Sequence, residues 1–434
     1  MRRILTVLAA IALVPAGVAH ADAATTTLVS ATIDGLPSAG ISGQPSISAD
    51  GRYVAFSASA DNLVPGDTNQ VTDIFVRDRQ TGAITRASVD STGLPGNGTS
   101  VAPSISGDGR YVVFKSDATN LVAGDTNQAG DIFLHDMQTG ATSRITVNLF
   151  GEQANSDSYQ PVISTDGQHI AYYSYASNLA WQDTNGTHDV FEYDRAADRT
   201  SRVSVDSNGQ QANGLSYLPS ISADGRYVAF SSSASNIALF PDTNHADDVF
   251  VHDSLYGRTD RVSLDPNGEQ GNSASRYGMI SGDGRYVAFN SYASNLVAGD
   301  TNNRNDMFVY DRYRYVATRI DVDPDGRELP GGTTSDVWPS ISADGRYVAY
   351  ESGADNLVPG DYNHVWDVFL RDRVAGSTSL VSVASDGTQG DYYSHEPSVS
   401  ADGRHVAFTS YASNFVAGAT SRYSSNVYIR DLVG

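Results

Sequence analysis

The sequence predicts an all-β fold: a seven-bladed β-propeller of four-stranded antiparallel blades, its ring closed by the N-terminal strand. Three observations predict it. The phrase Pro45-Ser-Ile-Ser-Ala-Asp-Gly-Arg-Tyr-Val-Ala-Phe56 returns along the chain, its Asp-Gly pair falling at Asp50, Asp108, Asp166, Asp224, Asp283, Asp344 and Asp402. Each interval holds four strand signals and no helical period, which is the pattern of a propeller blade. The seventh unit stops at its third strand, Asn426–Asp431, while Thr25–Gly35 at the other end resembles the fourth-strand segment Thr200–Gly209.

Taken in order, residues 1–21 read as a secretory signal peptide. Met1-Arg2-Arg3 is the positive start, Ile4 to Val18 an apolar stretch broken only by Pro15, and Ala19-His20-Ala21 the small-x-small cleavage pattern. Residues 22–434 then form a single seven-bladed propeller domain. The apolar leader is too short for an anchor and no later segment is apolar enough to span a bilayer, so a secreted protein, extracellular or cell-wall associated, is expected. Thr25–Gly35 is the strand that completes the last blade and removes the open edges of the array. Within a unit, the fourth for example, the strand signals are Pro219–Ser222, Arg226–Ser231, Asp248–His252 and Thr259–Leu264. Asp224-Gly225 joins the first two as a tight hairpin. A parallel β-helix is the alternative, but it needs much shorter repeats.

Composition narrows function by exclusion. The 434 residues carry 28 Lys+Arg against 50 Asp+Glu, a formal charge of −22, which argues against a nucleic-acid partner. Without cysteine there is no disulfide framework, thiolate metal site or cysteine nucleophile. Lys115 is the only lysine. The chain is expected to be a monomer.

The repeat phrase Ser-x-Asp-Gly-Arg-Tyr-Val-Ala-Phe resembles the TolB-like (PD40) propeller family over essentially all of residues 25–434. The resemblance implies a scaffold, binding platform or gating domain and no particular chemistry. The longer phrase Asn-Leu-Val-x-Gly-Asp-Thr-Asn-x-x-x-Asp-x-Phe is similar to secreted actinobacterial propellers of the dispase-autolysis-inducing type. That likeness implies a cell-wall-associated substrate of transglutaminase. Gln44, Gln70 and Gln128, in polar segments of the expected binding face, are the cross-linking candidates, although glutamine in a loop is also ordinary solvated surface.

The most polar repeated element is the loop between the second and third strands, with the signature Asp-x-Asn-x-x-x-Asp. It reads Asp67/Asn69/Asp73, Asp125/Asn127/Asp131, Asp183/Asn185/Asp189, Asp242/Asn244/Asp248, Asp300/Asn302/Asp306 and Asp361/Asn363/Asp367; the seventh unit replaces it with Ala419-Thr420-Ser421. One reading is a ring of calcium sites, because oxygen side chains at positions 1, 3 and 7 resemble part of a calcium loop. The other is an Asx-capped turn, in which Asp and Asn accept backbone N–H bonds. Three side-chain ligands without a bidentate Glu favour the turn, so no cofactor is required and calcium is the only candidate.

Propeller topology puts these loops on one face with the segments entering each first strand. Those segments carry Tyr159, Tyr217, Tyr277, Trp338, Tyr392 and Tyr393, either a ligand rim at the channel mouth or packing between blades. Tyr175, Tyr292 and Tyr411 read as packing residues. On the opposite face Arg52, Arg110, Arg226, Arg285, Arg346 and Arg404 should pair with Asp78, Asp136, Asp253, Asp311, Asp372 and Asp431, with Gln168 leaving one rung empty. There is no Gly-x-Ser-x-Gly elbow, His-Glu-x-x-His or phosphate-binding glycine loop, so no catalytic residue is assigned. The favoured function is a secreted, non-enzymatic propeller binding an extracellular protein or a cell-wall glycan. The alternative is a polysaccharide-degrading enzyme of lyase type with its site at the channel mouth.

Overall fold

The computed structural model describes residues 24–329, 338–418 and 424–432; the signal-peptide segment and Ala419-Thr420-Ser421 lie outside them. Among the described residues there is no helix, and the strands form seven four-stranded antiparallel sheets. Blade one is Ser42–Ile47, Tyr53–Ala58, Asp73–Asp78 and Ile84–Arg86. Blade three is Ser158–Ile163, His169–Ser174, Asp189–Asp194 and Arg199–Arg202. Blade four is Ser216–Ile221, Tyr227–Ser232, Asp248–Asp253 and Arg258–Arg261.

The second and third strands read as near-continuous apolar runs, Tyr-Val-Ala-Phe-Ser-Ala and Asp-Ile-Phe-Val-Arg-Asp in blade one, because neighbouring blades cover both faces of each sheet. The core accordingly lies between blades. One cluster joins Val249, Val251 and Val262 of blade four to Ile280, Val287 and Phe289 of blade five. A phenylalanine or tyrosine pair recurs inside each blade, Phe230 against Phe250 at 5.9 Å for example.

The Asp-Gly turns are held by a repeated local network. In blade one the Asp50 carboxylate accepts from Ser48 Oγ (2.7 Å) and from the Arg52 N–H (2.9 Å). Gly109 needs its glycine twice over: its φ is +73°, and a Cβ there would overlap the Tyr53 ring of the preceding blade. Backbone N–H groups beside these turns also bond from blade to blade, Ala49 to Gly107 (3.1 Å) and onward to Ala401, which donates back to Ala49 (3.1 Å). This makes a closed belt around one end of the channel.

First strands line the channel and run longer than the sequence suggests. Blade four's begins at Ser216, where Pro219 was expected, because a bulge between Tyr217 and Ser220 lets pairing resume beyond Leu218-Pro219. Leu218 takes φ +53°, and Gln44, Ala102, Gln160, Tyr277 and Glu396 do the same in their blades.

The ring closes as the sequence predicts. Thr25–Leu28 pairs antiparallel with Asn426–Asp431, Thr25 opposite Asp431 and Leu28 opposite Tyr428, as the fourth strand of blade seven. Thr26 Oγ1 donates to the Val383 carbonyl (2.6 Å) and accepts from Arg430 Nη1 (3.0 Å), tying the strand to blade six as well.

Candidate functional site

The six Asp/Asn loops fold alike. In blade one Asn69 Oδ1 accepts from the Val71 N–H (3.4 Å), an Asx turn, while its Nδ2 donates to Asp73 (2.9 Å) and to the Gly96 carbonyl (3.0 Å). Asp73 also accepts from Ser88 Oγ (2.6 Å). Asn127, Asn185, Asn302 and Asn363 repeat the bond to Asp131, Asp189, Asp306 and Asp367, and Asn244 donates to the Gly271 carbonyl (2.7 Å).

What the sequence reading missed is a cation already in place. Arg86 reaches Asp67 (2.8 Å) and Asp73 (3.5 Å), and Arg144 reaches Asp125 (3.3 Å) and Asp131 (3.2 Å). Arg202 lies 3.5 Å from Asp183 and 3.4 Å from Asp189, and Arg261 lies 3.1 Å from Asp248. Gln270 bridges Asp242 (2.7 Å) and Asp248 (2.8 Å). The signal was present: an arginine ends the fourth strand at 86, 144, 202, 261 and 319, but nothing in that spacing says which loop it reaches. Asp300, Asp306 and Glu328 gather carboxylate oxygens within 4.8 Å of one another, close enough to hold a metal ion. Arg319 Nη1 stands among them, 3.7, 3.1 and 2.7 Å away.

Blade six departs from this arrangement. Leu380 ends its fourth strand, so no guanidinium among the described residues pairs with Asp361 or Asp367. Burial raises the Asp361 carboxyl and pushes that of Asp367 up to about 6. Burial has the same effect on Asp248 and Asp300, each pushed up to about 6 against their arginines.

The aromatics of the segments entering the first strands gather in pairs and clusters. Tyr159 stacks on Tyr173 at 5.3 Å, and His188 sits edge-on to Tyr159, Tyr173 and Tyr175. Tyr277 and Trp338 meet across blades five and six at 6.1 Å, and Tyr392, Tyr393, Tyr411 and His395 form a third group. Tyr217 donates to Asp247 (2.9 Å). These residues lie within or beside the first strands, and Tyr175 and Tyr292, expected to pack, are exposed. Glu351 lies half-buried on the second strand of blade six, and burial pushes its carboxyl up to about 7. No partner among the described residues reaches its Oε2.

The three glutamines separate. Gln70 (φ +58°) and Gln128 (φ +56°) are exposed on their loops. Gln44 is half-buried in the first strand, and its Oε1 accepts from the Ala102 N–H (2.9 Å) and from Ser57 Oγ (3.2 Å).

On the opposite face five bidentate rungs stand as expected, Arg52–Asp78, Arg110–Asp136, Arg226–Asp253, Arg285–Asp311 and Arg346–Asp372. The Arg52 hydrogen bonds hold the Asp78 carboxyl far below its usual range. The seventh rung is a correction: His405 (2.6 Å) and Arg79 of blade one (2.6 Å) take Asp431, and Arg404 lies 3.8 Å from Asp402 instead. Blade one has slid its own arginine across the closing interface.

No protein-family profile matches the sequence, and no curated protein sequence matches it. Solved structures do match in fold. The oligogalacturonate lyase of Vibrio parahaemolyticus is 14% identical with a TM-score of 0.54, covering 94% of this chain and 96% of its own. The propeller domain of the trilobed protease of Pyrococcus furiosus is 12% identical with a TM-score of 0.53, covering 91% and 94%. TolB of Acinetobacter baumannii is 14% identical with a TM-score of 0.43, over 79% of this chain, which spans only 64% of TolB. The propeller architecture is thus shared with a lyase and with a domain of a protease, and fold by itself assigns neither function.

Proposed function

We propose that the protein is a non-enzymatic, secreted propeller that binds an extracellular or cell-wall protein through the loop face of blades three and four. The observation that carries this reading is an apolar departure from the repeat. Where the other units end this turn on Asp, Asn or Thr before the glycine (Asp34, Thr92, Asn208, Asn267, Asp325 and Asp386), blade three has Leu149-Phe150, half and 73% exposed. Where they have Pro or Ala before the Asp/Asn loop, blade three has Trp181 and blade four Leu239-Phe240, exposed by 72%, 86% and 70%. Phe150 and Trp181 meet edge to face at 6.3 Å. Large exposed apolar side chains gathered in one place are the usual mark of a protein-binding surface, and Trp and Phe supply its anchoring area.

The signal-like residues 1–21 support export. Gln70 and Gln128, exposed at positive φ on the same face, support use as transglutaminase acyl donors; Gln44, with its carboxamide engaged, does not. With Lys115 as the only lysine, self-cross-linking would be poor. Two measurements test the reading. Immobilised protein should retain a partner from its producer's culture fluid or wall fraction, and Phe150→Ser/Trp181→Ser should lose it at an unchanged melting temperature. A fluorescent amine with microbial transglutaminase should label Gln70 and Gln128. Retention unaffected by the double substitution would overturn the assignment of the face.

A further inference from the structure

One blade interface combines three residues that no other interface brings together. The residue after the third-strand aspartate is long in six blades: Arg79, Met137, Arg195, Arg312, Arg373 and Leu432. It packs on the Tyr or His that opens the second strand of the preceding blade, as Arg195 does over Tyr111 (3.9 Å) and Arg312 over Tyr227 (4.3 Å). In blade four that residue is Ser254, and the facing residue of blade three is His169. The third-strand position that is Val76, Leu134, Val251, Val309, Leu370 and Ile429 elsewhere is Glu192 in blade three, only 7% exposed. Removing one long side chain and shortening another opens a cleft of about 490 Å3 between blades three and four, on the face of the Asp-Gly turns.

The three departures are bonded to one another. Glu192 accepts from His169 Nδ1 (2.8 Å) with one oxygen and from Ser254 Oγ (2.6 Å) with the other. A carboxylate only accepts, so the His169 Nδ1 carries the proton and its Nε2 is left for the cleft. His252 lines the opposite wall with Nδ1 on Thr259 Oγ1 (2.9 Å), whose own proton goes to the Val205 carbonyl (2.5 Å), so its Nε2 is likewise uncommitted. Arg199 reaches the mouth with no partner among the described residues, whereas Arg226 is spent on Asp253 and Arg202 on Asp183 and Asp189. Asp194, lacking the arginine that Gln168 replaces, and Asp224 complete the polar lining. Burying a glutamate at a position made for an aliphatic residue costs stability, and here it is used to orient two groups around a cavity.

We propose that this cleft is a binding site for a small, uncharged, hydroxyl-rich ligand, one or two sugar rings in size. A hydroxyl is the one ligand function that serves the whole lining, donating to imidazole nitrogens, carboxylates and Ser254 Oγ and accepting from Arg199. Glu192, Asp194 and Asp224 repel an anion, and Arg199 at the mouth disfavours a cation. The site lies on the face opposite the apolar loop patch and does not depend on it.

The test is isothermal titration of the full-length mature protein with maltose, cellobiose, lactose and N,N′-diacetylchitobiose, with glucuronic acid and glucosamine as charged controls. Saturable binding of at least one neutral sugar is expected. Glu192→Leu and His169→Tyr, which restore residues the other blades carry, should weaken it by about tenfold or more, the loss of at least one buried hydrogen-bonding group. Glu192→Leu should also melt higher than the parent, which guards against a folding artefact. No saturable binding by any neutral sugar overturns the proposal, as does binding that survives both substitutions. Tighter binding of either charged control overturns the uncharged assignment.

Discussion

Arg144 shows how a single side chain sets the character of a loop. Its guanidinium lies between Asp125 and Asp131 and also bonds Gln153 (2.6 Å), so three acceptors share one cation. Arg144→Leu should cost about 3–5 kcal/mol in urea unfolding, because both carboxylates stay behind unpaired. Blade six offers the reverse experiment. Leu380→Arg would place a guanidinium beside Asp361 and Asp367, and the expected outcome is a higher melting temperature at neutral pH. Glu351 gives the pH dependence a sign. Its carboxyl is pushed up to about 7 by burial, so between its ordinary range and pH 7 the folded chain holds a proton that the unfolded chain has lost. Its contribution is therefore present at low pH and is lost as pH rises through about 7. Glu351→Gln should match the parent near pH 5 and melt higher than it at pH 8. None of these arginine or glutamate partnerships could be read from spacing alone. The arginines recur in register, but they act on the loop that enters the neighbouring third strand, and that contact is a tertiary fact.

At the scale of elements the sequence was most informative where one residue type has a single conformational use. The seven Asp-Gly pairs located every first hairpin, since Gly at φ near +70° is what that turn demands. Strand ends were less legible. An X-Pro step inside a first strand reads as a boundary, yet a bulge absorbs it and pairing continues to Ser216. The same bulge put Tyr159, Tyr217 and Tyr277 inside strands. The departures of blades three and four at 169, 192 and 254 were not singled out in the sequence, because only the packing of one blade on the next brings them into contact. The closing strand carries its own prediction. Deleting Thr25–Asp34 exposes Asn426–Asp431 as an edge and removes Val29, 1% exposed in the core of blades seven and one. A large fall in melting temperature is expected in differential scanning calorimetry. Val29→Asp should reproduce much of it without shortening the chain.

The whole molecule is a closed ring carrying a formal charge of −22, much of its acid crowded on the loop rim. Since five of the six Asp/Asn loops hold an arginine, a chelator should leave the melting temperature unchanged apart from ionic strength. A chelator-induced drop restored by calcium and not by sodium would return the loops to metal binding. The closure also has a bearing on time. Thr25 and Asp431, 406 positions apart, are partners, so the first strand to leave the ribosome is the last to find its place. Blades one to six pair strands close in sequence and need not wait; blade seven must search for a partner across the entire length. Once found, that partner also keeps the belt of turn-to-turn bonds from opening at its only seam. Unfolding is then expected to begin by peeling one short strand, and weakening Thr25–Leu28 should shorten the lifetime of the native ring.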